Sequence, residues 1–193
     1  MSDLKPYRQG GPLSLPNILT FSRIAIIPLI IGLLFLDSAL ARWSAFGLYV
    51  AASLTDWLDG RLARARGEVS SLGRFLDPVA DKLLVTAIIV MLVAARDLAG
   101  LQVIPAIVIL CREILVSGLR EYLAELQVPL PVSQLAKWKT AIQMIAIGLL
   151  LPGASLGAAL PLAGLLLFWL AALLSILSGW NYLSRGLQYM WER

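Results

Sequence analysis

The stretch DWLDGRLARARGEVSSLGRFLDPVAD, residues 56–81, decides the fold, because it sets four aspartates inside a chain that is otherwise apolar. Asp56 and Asp59 are spaced i, i+3, and Asp77 and Asp81 are spaced i, i+4. On helices, both spacings project the two side chains of a pair from one face. The stretch therefore predicts two antiparallel helices whose neighbouring ends each carry a pair of carboxylates.

The composition around this stretch is that of an integral membrane protein. Of the 193 residues, 59% are hydrophobic and 15% are charged, whereas soluble domains carry about 25% charged residues. The mean hydropathy is +0.82. Long apolar runs favour helices, which satisfy their own backbone hydrogen bonds in lipid, over the alternating pattern of a β-barrel. We therefore expect an all-α membrane protein.

Six apolar segments are each long enough to cross a bilayer, which takes about 20 residues in a helix. The predicted fold class is thus an integral membrane bundle of six transmembrane helices. Residues 1–15 are expected to form an N-terminal interfacial arm, and residues 16–193 one transmembrane domain, because the short connections leave no room for a soluble one. The predicted spans are 16–37, 40–61, 75–95, 101–122, 133–152 and 157–182.

Lysine and arginine residues indicate the orientation of the bundle, since they concentrate in cytoplasmic loops. With six spans both termini lie on one side, and only Arg42 and Arg96 fall toward the other side. Both termini and all four aspartates are therefore expected at the cytoplasmic face. The basic residues on that side are Lys5, Arg8, Arg23, Arg61, Arg64, Arg66, Arg74, Lys82, Arg112, Arg120, Lys137, Lys139, Arg185 and Arg193.

The N-terminal segment has a second interpretation, as a cleavable signal peptide. Lys5 and Arg8 precede an apolar run at 24–36, and the small residues at 39–41 resemble a cleavage site. The charge asymmetry is explained equally well when the segment is retained. We therefore keep six spans as the prediction.

The residue types present exclude several chemistries. The chain has no histidine and one cysteine, so a histidine-ligated metal, a Ser-His-Asp triad, a Cys-His pair and an internal disulfide are all excluded. The net charge is +4, and the basic residues border apolar spans. This placement favours anionic lipid and phosphate-bearing substrates over nucleic acid as partners.

Four converging carboxylates repel one another unless protons or cations neutralise them. An all-oxygen site suits hard ions such as Mg²⁺, Mn²⁺ or Ca²⁺, and two-metal sites of this kind hold phosphoryl oxygens during displacement. Gly60 and Gly73 lack side chains, so a bulky ligand can approach their backbone. Arg64 lies one turn beyond Gly60, where its planar guanidinium can hold a phosphate.

These positions spell D-x2-D-G-x2-A-R-x8-G-x3-D-x3-D, which resembles the signature of the CDP-alcohol phosphotransferase family. The resemblance implies a six-helix membrane enzyme, commonly a homodimer, that displaces CMP from a CDP-linked donor with an alcohol acceptor. Residues 16–193 would then be the catalytic domain. The matching positions are Asp56, Asp59, Gly60, Ala63, Arg64, Gly73, Asp77 and Asp81.

The resemblance also implies roles for single residues. Four aspartates would bind a pair of metal ions, with Mg²⁺ or Mn²⁺ as the cofactor, and Asp81 would in addition be the general base. The metal ligands would be Asp56, Asp59, Asp77 and Asp81. Residues implied to contact the CDP part of the donor are Gly60, Arg64 and Ser70.

A small polar group, Asn17, Thr20 and Arg23, interrupts the first apolar span. The predicted role of Asn17 and Thr20 is to touch the nucleotide of the donor. Capping of a helix start is the alternative for these two residues, since asparagine and threonine are common helix caps.

Three further segments are similar to one subgroup of the family. They are PNILTFSRI at 16–24, CREILVSGLREYLAE at 111–125 and AKWKTAIQM at 136–144. The similarity implies CDP-diacylglycerol as the donor and sn-glycerol 3-phosphate as the acceptor, with phosphatidylglycerol phosphate and CMP as the products.

A dianionic acceptor needs cations close to the aspartates. Arg112 and Arg120 lie eight residues apart, nearly on one helix face, and Lys137 and Lys139 open the fifth span. These four are the predicted glycerol 3-phosphate site; the alternative is that they serve only orientation and lipid contact. Glu113 adjoins Arg112 and is expected to orient a cation.

Two other functions stay open at this point. The same chemistry can use another acceptor, such as inositol phosphate or serine, and serine needs no cationic pocket. A carboxylate-lined cation transporter is a different class that also places ionisable residues within a membrane. Radiolabelled acceptors offered with CDP-diacylglycerol distinguish the acceptors, and ion flux in liposomes would indicate a transporter.

Overall fold

The computed structural model describes most of the chain as six α-helices joined by short connections. The backbone is described for residues 15–36, 38–66, 71–128, 131–153, 157 and 159–191. Within these helices, the side chains at 15, 16, 57–66, 71, 72, 74, 190 and 191 lie outside the description.

The helices follow the predicted spans closely. They are α1 (Leu15–Leu34), α2 (Ala39–Arg66), α3 (Ser71–Ala94), α4 (Val103–Glu125), α5 (Gln134–Leu150) and α6 (Ala159–Trp191), with a 3₁₀ turn at Gly100–Gln102. The all-α fold class is therefore confirmed. The largest difference is in α6, which continues well beyond the predicted end of the last span at residue 182.

Three helices of the described chain are long and apolar enough to cross a membrane, judged by length and composition. These segments are Asn17–Leu34, Gly100–Glu125 and Ala159–Tyr189. Of the others, α5 has 17 residues, and α2 and α3 contain the aspartates. The molecule is thus a helical membrane protein with at least these three candidate spans in its described part.

The chain divides into two compact units, Met1–Met91 and Leu92–Arg193. In the first unit, α1 packs along α2, and in the second unit α6 packs against both α4 and α5. Large apolar side chains form the interior of each unit. Fully buried examples are Ile30, Ile88 and Ile89 in the first unit, and Ile109, Leu123, Ile147 and Phe168 in the second.

Local interactions explain where α4 ends and α5 begins. Gln127 has a positive φ of 58°, its N–H donates to the Ala124 carbonyl, and the next N–H donates to the Leu123 carbonyl. This Schellman arrangement satisfies the last carbonyls of a helix. At the start of α5, the Ser133 hydroxyl accepts a hydrogen bond from the Ala136 N–H at 3.2 Å and caps the helix.

Small residues allow α6 to approach its neighbours closely, as expected in membrane helices. A Cβ added at Gly164 would lie 3.1 Å from the Cβ of Leu149 on α5. A Cβ added at Gly186 would lie 2.8 Å from a methyl group of Leu119 on α4. Gly118 is different, because no described atom lies within 4 Å of such a Cβ.

Candidate active site

Three of the four predicted metal-binding aspartates have described side chains, and all three belong to the first unit. Asp56 lies in the C-terminal half of α2, and Asp77 and Asp81 lie in the first three turns of α3. The helix runs through Pro78, which has no N–H to donate to the carbonyl four residues earlier. Asp77 is exposed, whereas Asp56 and Asp81 are half-buried.

Helix α1 contacts one aspartate from each predicted pair. The Thr20 hydroxyl donates a hydrogen bond to Asp77 Oδ1 at 2.5 Å, and Arg23 Nη1 lies 2.5 Å from Asp56 Oδ1. Thr20 and Arg23 are three residues apart and so share a helix face. The structure thus brings Asp56 of α2 and Asp77 of α3 to the same face of α1.

This face of α1 is polar although it is buried. Asn17, Thr20 and Arg23 are each 1% exposed, and their spacing of three residues places them along one side of the helix. Both Asn17 and Thr20 lie inside α1, which begins at Leu15, so neither is the residue that caps the helix. Burying an arginine is costly unless a carboxylate pairs with it, and Asp56 supplies that carboxylate.

Several predicted donor-site residues lie outside the described side chains, and their roles stay predictions. Gly73 is described and is buried in the first turn of α3. Among the described side chains no three potential metal ligands form a group. The residues outside the description are Asp59, Gly60, Arg64 and Ser70.

The chemistry of the described donors fits a hard divalent cation. Asp56 and Asp77 each direct Oδ1 at α1, and each carboxylate has a second oxygen with lone pairs of its own. All of these donors are oxygens, which Mg²⁺ and Mn²⁺ prefer. Asp56 also pairs with a cation in the structure, the guanidinium of Arg23.

In the second unit, α4 and α5 bring two of the predicted acceptor-binding cations to one carboxylate. Lys139 Nζ contacts Glu113 Oε1, and Arg112 Nη1 lies 3.5 Å from the same oxygen. Lys139 is 1% exposed, and the Arg112 side chain is 11% exposed. Two cations and one carboxylate leave the cluster with a net positive charge, which suits an anionic ligand.

Helix α6 fixes the position of Arg112 through two residues that the sequence analysis did not single out. Arg112 Nη2 donates to the Ser178 hydroxyl at 3.2 Å, and the Tyr182 ring lies 5.7 Å from Arg112 Cζ, within cation–π range. The Tyr182 hydroxyl accepts a hydrogen bond from the Ser133 N–H at 2.9 Å. The i, i+4 spacing of a serine and a tyrosine in an apolar helix was the available signal.

The other two predicted acceptor-binding residues have different surroundings. Arg120 on α4 and Lys137 on α5 are exposed. Lys137 and Lys139 are two residues apart, so they point to nearly opposite sides of α5. The predicted set therefore divides into two residues that contact Glu113, Arg112 and Lys139, and two exposed residues.

The helices and the site together define a membrane protein in which carboxylates of α2 and α3 contact one face of α1, and such oxygen donors are typical of proteins that bind metal ions and phosphates. The profile of the CDP-alcohol phosphatidyltransferase family matches residues 13–177. The chain therefore belongs to this family, which confirms the resemblance found in its aspartate pattern. Enzymes of the family generally depend on divalent metal ions.

Relatives with assigned names extend this result over most of the chain. The CDP-diacylglycerol–glycerol-3-phosphate 3-phosphatidyltransferase of Rickettsia bellii is 47% identical over 91% of this chain and 97% of its own length. A protein of Arabidopsis thaliana with that name and the number 2 is 38% identical over 86% of this chain and 76% of its own. The cardiolipin synthase (CMP-forming) of Oryza sativa subsp. japonica is 40% identical over 86% of this chain and 55% of its own.

Proposed function

We propose that this protein is an enzyme that transfers the phosphatidyl group of CDP-diacylglycerol to sn-glycerol 3-phosphate and releases CMP. The reaction gives phosphatidylglycerol phosphate for phospholipid biosynthesis. The observation that carries the proposal is the meeting of Asp56 and Asp77 at α1, in a chain whose bacterial relative at 47% identity is named for this reaction.

The proposed reaction is a direct displacement at phosphorus. Asp81 takes the proton of the acceptor's primary hydroxyl as general base. That oxygen forms a bond to the lipid-linked phosphorus, and the bond from this phosphorus to the CMP oxygen breaks. No covalent enzyme intermediate is needed, in keeping with a chain that has no histidine to activate a nucleophile.

The four aspartates are proposed to hold two divalent ions, Mg²⁺ or Mn²⁺, at each active site. Bound ions supply positive charge for the diphosphate of the donor. The all-oxygen donor set and the contact of Asp56 with a cationic side chain support this assignment. The proposed ligands are Asp56, Asp59, Asp77 and Asp81.

The donor is proposed to bind along the polar face of α1 and the glycines of α2 and α3. The contact of Thr20 with Asp77 supports this position, and the buried Asn17 lies on the same face of α1. The proposed CDP-diacylglycerol contacts are Asn17, Thr20, Gly60, Arg64, Ser70 and Gly73.

The acceptor phosphate is proposed to bind the positive cluster of the second unit. Arg112 and Lys139 share Glu113 and leave one positive charge unbalanced, and Arg120 and Lys137 add exposed positive charge. A free phosphate ester is a dianion, so it gains more from such a cluster than a zwitterion such as serine does.

We also propose that all six helices cross the cytoplasmic membrane of a bacterium, with both termini and the aspartates at the cytoplasmic face. At 1.5 Å per residue, α2 and α3 are ~42 and ~36 Å long, which exceeds the ~30 Å hydrocarbon core. Their charged ends can therefore reach the head groups. We further propose that the enzyme is a homodimer. Its residues 1–15 would form an N-terminal arm and residues 16–193 the catalytic domain.

The test is CMP release by the purified protein with CDP-diacylglycerol, with and without glycerol 3-phosphate. We expect release to require the acceptor, to stop with EDTA and to return with Mg²⁺ or Mn²⁺. Serine acting better than glycerol 3-phosphate would overturn the acceptor. Cardiolipin as the product would instead indicate the activity named for the rice relative, and ion flux into liposomes without CMP release would indicate a transporter.

A further inference from the structure

We infer that α1 is a positioning element of the metal site, in which Thr20 and Arg23 orient Asp77 and Asp56 for a divalent ion. The inference rests on the proposed function, because it takes these aspartates as metal ligands. It adds two residues of a third helix, neither of which is itself proposed to bind the metal.

The first argument is the geometry of the two contacts. Thr20 donates to Asp77 Oδ1 and Arg23 contacts Asp56 Oδ1, both at 2.5 Å. The Thr20 contact is a hydrogen bond, so it constrains the rotation of the Asp77 carboxylate and the direction of its second oxygen. The Arg23 contact is an ion pair that draws Asp56 Oδ1 toward α1.

The second argument is the contrast in burial between the donors and the carboxylates. Thr20 and Arg23 are each 1% exposed, so packing restricts them to few rotamers. The Asp56 side chain is 43% exposed, and Asp77 is exposed as well. Exposed carboxylates rotate readily, and a fixed partner on α1 removes that freedom before a metal binds.

The third argument is that Asp56 and Asp77 come from different helices. Their relative position depends on how α2 and α3 are held, and α1 is the element that contacts both carboxylates. Hydrogen-bond partners of metal ligands typically contribute 10–100-fold in metal affinity. A loss of that size is therefore expected when α1 releases one of the aspartates.

The experiment measures binding of Mn²⁺ alone to the full-length protein in detergent, by electron paramagnetic resonance, without either substrate. We expect Thr20→Val to raise the Kd for Mn²⁺ about 10–100-fold and Thr20→Ser, which keeps the hydroxyl, to restore it. Arg23→Lys keeps the charge and alters only the geometry of the contact, so we expect weaker binding there too.

Ser22→Ala is the matched control, because Ser22 is on the same helix and its hydroxyl donates to the Leu19 carbonyl of α1 itself. We expect that variant to bind Mn²⁺ as the unmodified protein does. A lowered melting temperature of Thr20→Val with an unchanged Kd would overturn the inference, since a purely structural contact predicts that result. If Thr20→Val does not fold, Arg23→Lys replaces it in the test. An unchanged Kd for Mn²⁺ in that variant would then overturn the inference.

The outcomes separate this inference from the proposed function. If the unmodified protein binds Mn²⁺ and releases CMP while the α1 variants bind Mn²⁺ normally, the positioning role alone is wrong. If the unmodified protein neither binds Mn²⁺ nor releases CMP, the proposed function is wrong and the inference fails with it.

Discussion

At the scale of single residues, each unit contains a buried cation that contacts a more exposed carboxylate. The side chain of Arg23 is 1% exposed and that of Asp56 is 43% exposed. The side chain of Lys139 is 2% exposed and that of Glu113 is 20% exposed. Burying a charge costs free energy that an apolar residue would avoid. Such pairs are expected where a protein needs a charged group held in a fixed place.

The proposed general base gives the first prediction. Asp81→Asn keeps the size and shape of a half-buried side chain but cannot accept the proton of the acceptor hydroxyl. We expect CMP release to fall about 10²–10⁴-fold, with little change in the melting temperature. Asp97→Asn, in the turn after α3, is the control and should be nearly as active as the unmodified protein. Near-normal CMP release by Asp81→Asn would show that another group is the base.

The contact between Glu113 and the buried Lys139 in the second unit gives a prediction about stability. Glu113→Gln removes the carboxylate that contacts the buried Lys139, so the free energy of unfolding should fall by about 3 kcal/mol. Replacing Lys139 by Met in addition should recover part of that loss. The measurement is chemical unfolding in detergent micelles.

The control for this pair is Glu121→Gln, an exposed position on the same helix. We expect it to change stability by less than about 0.5 kcal/mol, as surface substitutions usually do. Equal effects of the two glutamine variants would mean that the Lys139 contact does not stabilise the fold.

The sequence predicted the family and the candidate site residues, but not the partners that these residues have in the structure. The spacings within the pairs Asp56/Asp59 and Asp77/Asp81 predicted two helices with carboxylates at neighbouring ends, and the whole pattern predicted the family correctly. That Thr20 contacts Asp77, 57 positions away, depends on how α1 and α3 pack and has no local signal. Likewise, Lys137 and Lys139 look equivalent in sequence, and only packing decides that Lys139 is the buried one.

At the scale of helices, apolar runs predicted where each helix lies better than where it ends. The last span was predicted to end at residue 182, yet α6 runs to Trp191. A membrane span ends where the apolar run ends, whereas a helix continues as long as its backbone hydrogen bonds and packing allow. Close packing at Gly186 on Leu119 supports this extension. The end of α4 was also hard to predict, because Gln127 has a left-handed conformation that usually signals glycine.

The packing of α6 on α5 gives a prediction at this scale. A valine at Gly164 must displace Leu149, since even a Cβ there would lie 3.1 Å from the Leu149 Cβ. We expect Gly164→Val to lower the free energy of unfolding by about 1–3 kcal/mol. Gly118→Val is the matched control, because it introduces the same β-branched side chain into a helix where nothing described lies within 4 Å. Equal unfolding free energies for the two variants would contradict close packing at Gly164.

At the scale of the whole molecule, the distribution of charge and the proposed chemistry lead to the same proposal for the side of the membrane that carries the site. Arg42 and Arg96 are the only basic residues that six spans would place outside, and the same topology would place Asp56, Asp59, Asp77 and Asp81 inside. Nucleotide-linked donors and phosphorylated acceptors are water-soluble at their reacting ends. A site at the boundary between lipid and cytoplasm can therefore hold both the acyl chains and the polar groups of the reaction.

Reporter fusions test this topology. With six spans, alkaline phosphatase fused after Asp97, in the turn that follows α3, should lie outside the cytoplasm and be active. The same enzyme fused after Leu126, at the end of α4, should be inactive, and a fluorescent protein fused there should fold.

The alternative is that only α1, α4 and α6 cross the membrane. In that case α1 and α4 are the only spans before residue 126, and these two helices determine the side of each fusion. Asp97 would then follow a single span and Leu126 two, leaving this pair unchanged. A fusion after residue 67 therefore decides between the models, and a fusion after Ser38 is the reference for the outside. Six spans place Ser38 outside and residue 67 inside, whereas three spans place both outside.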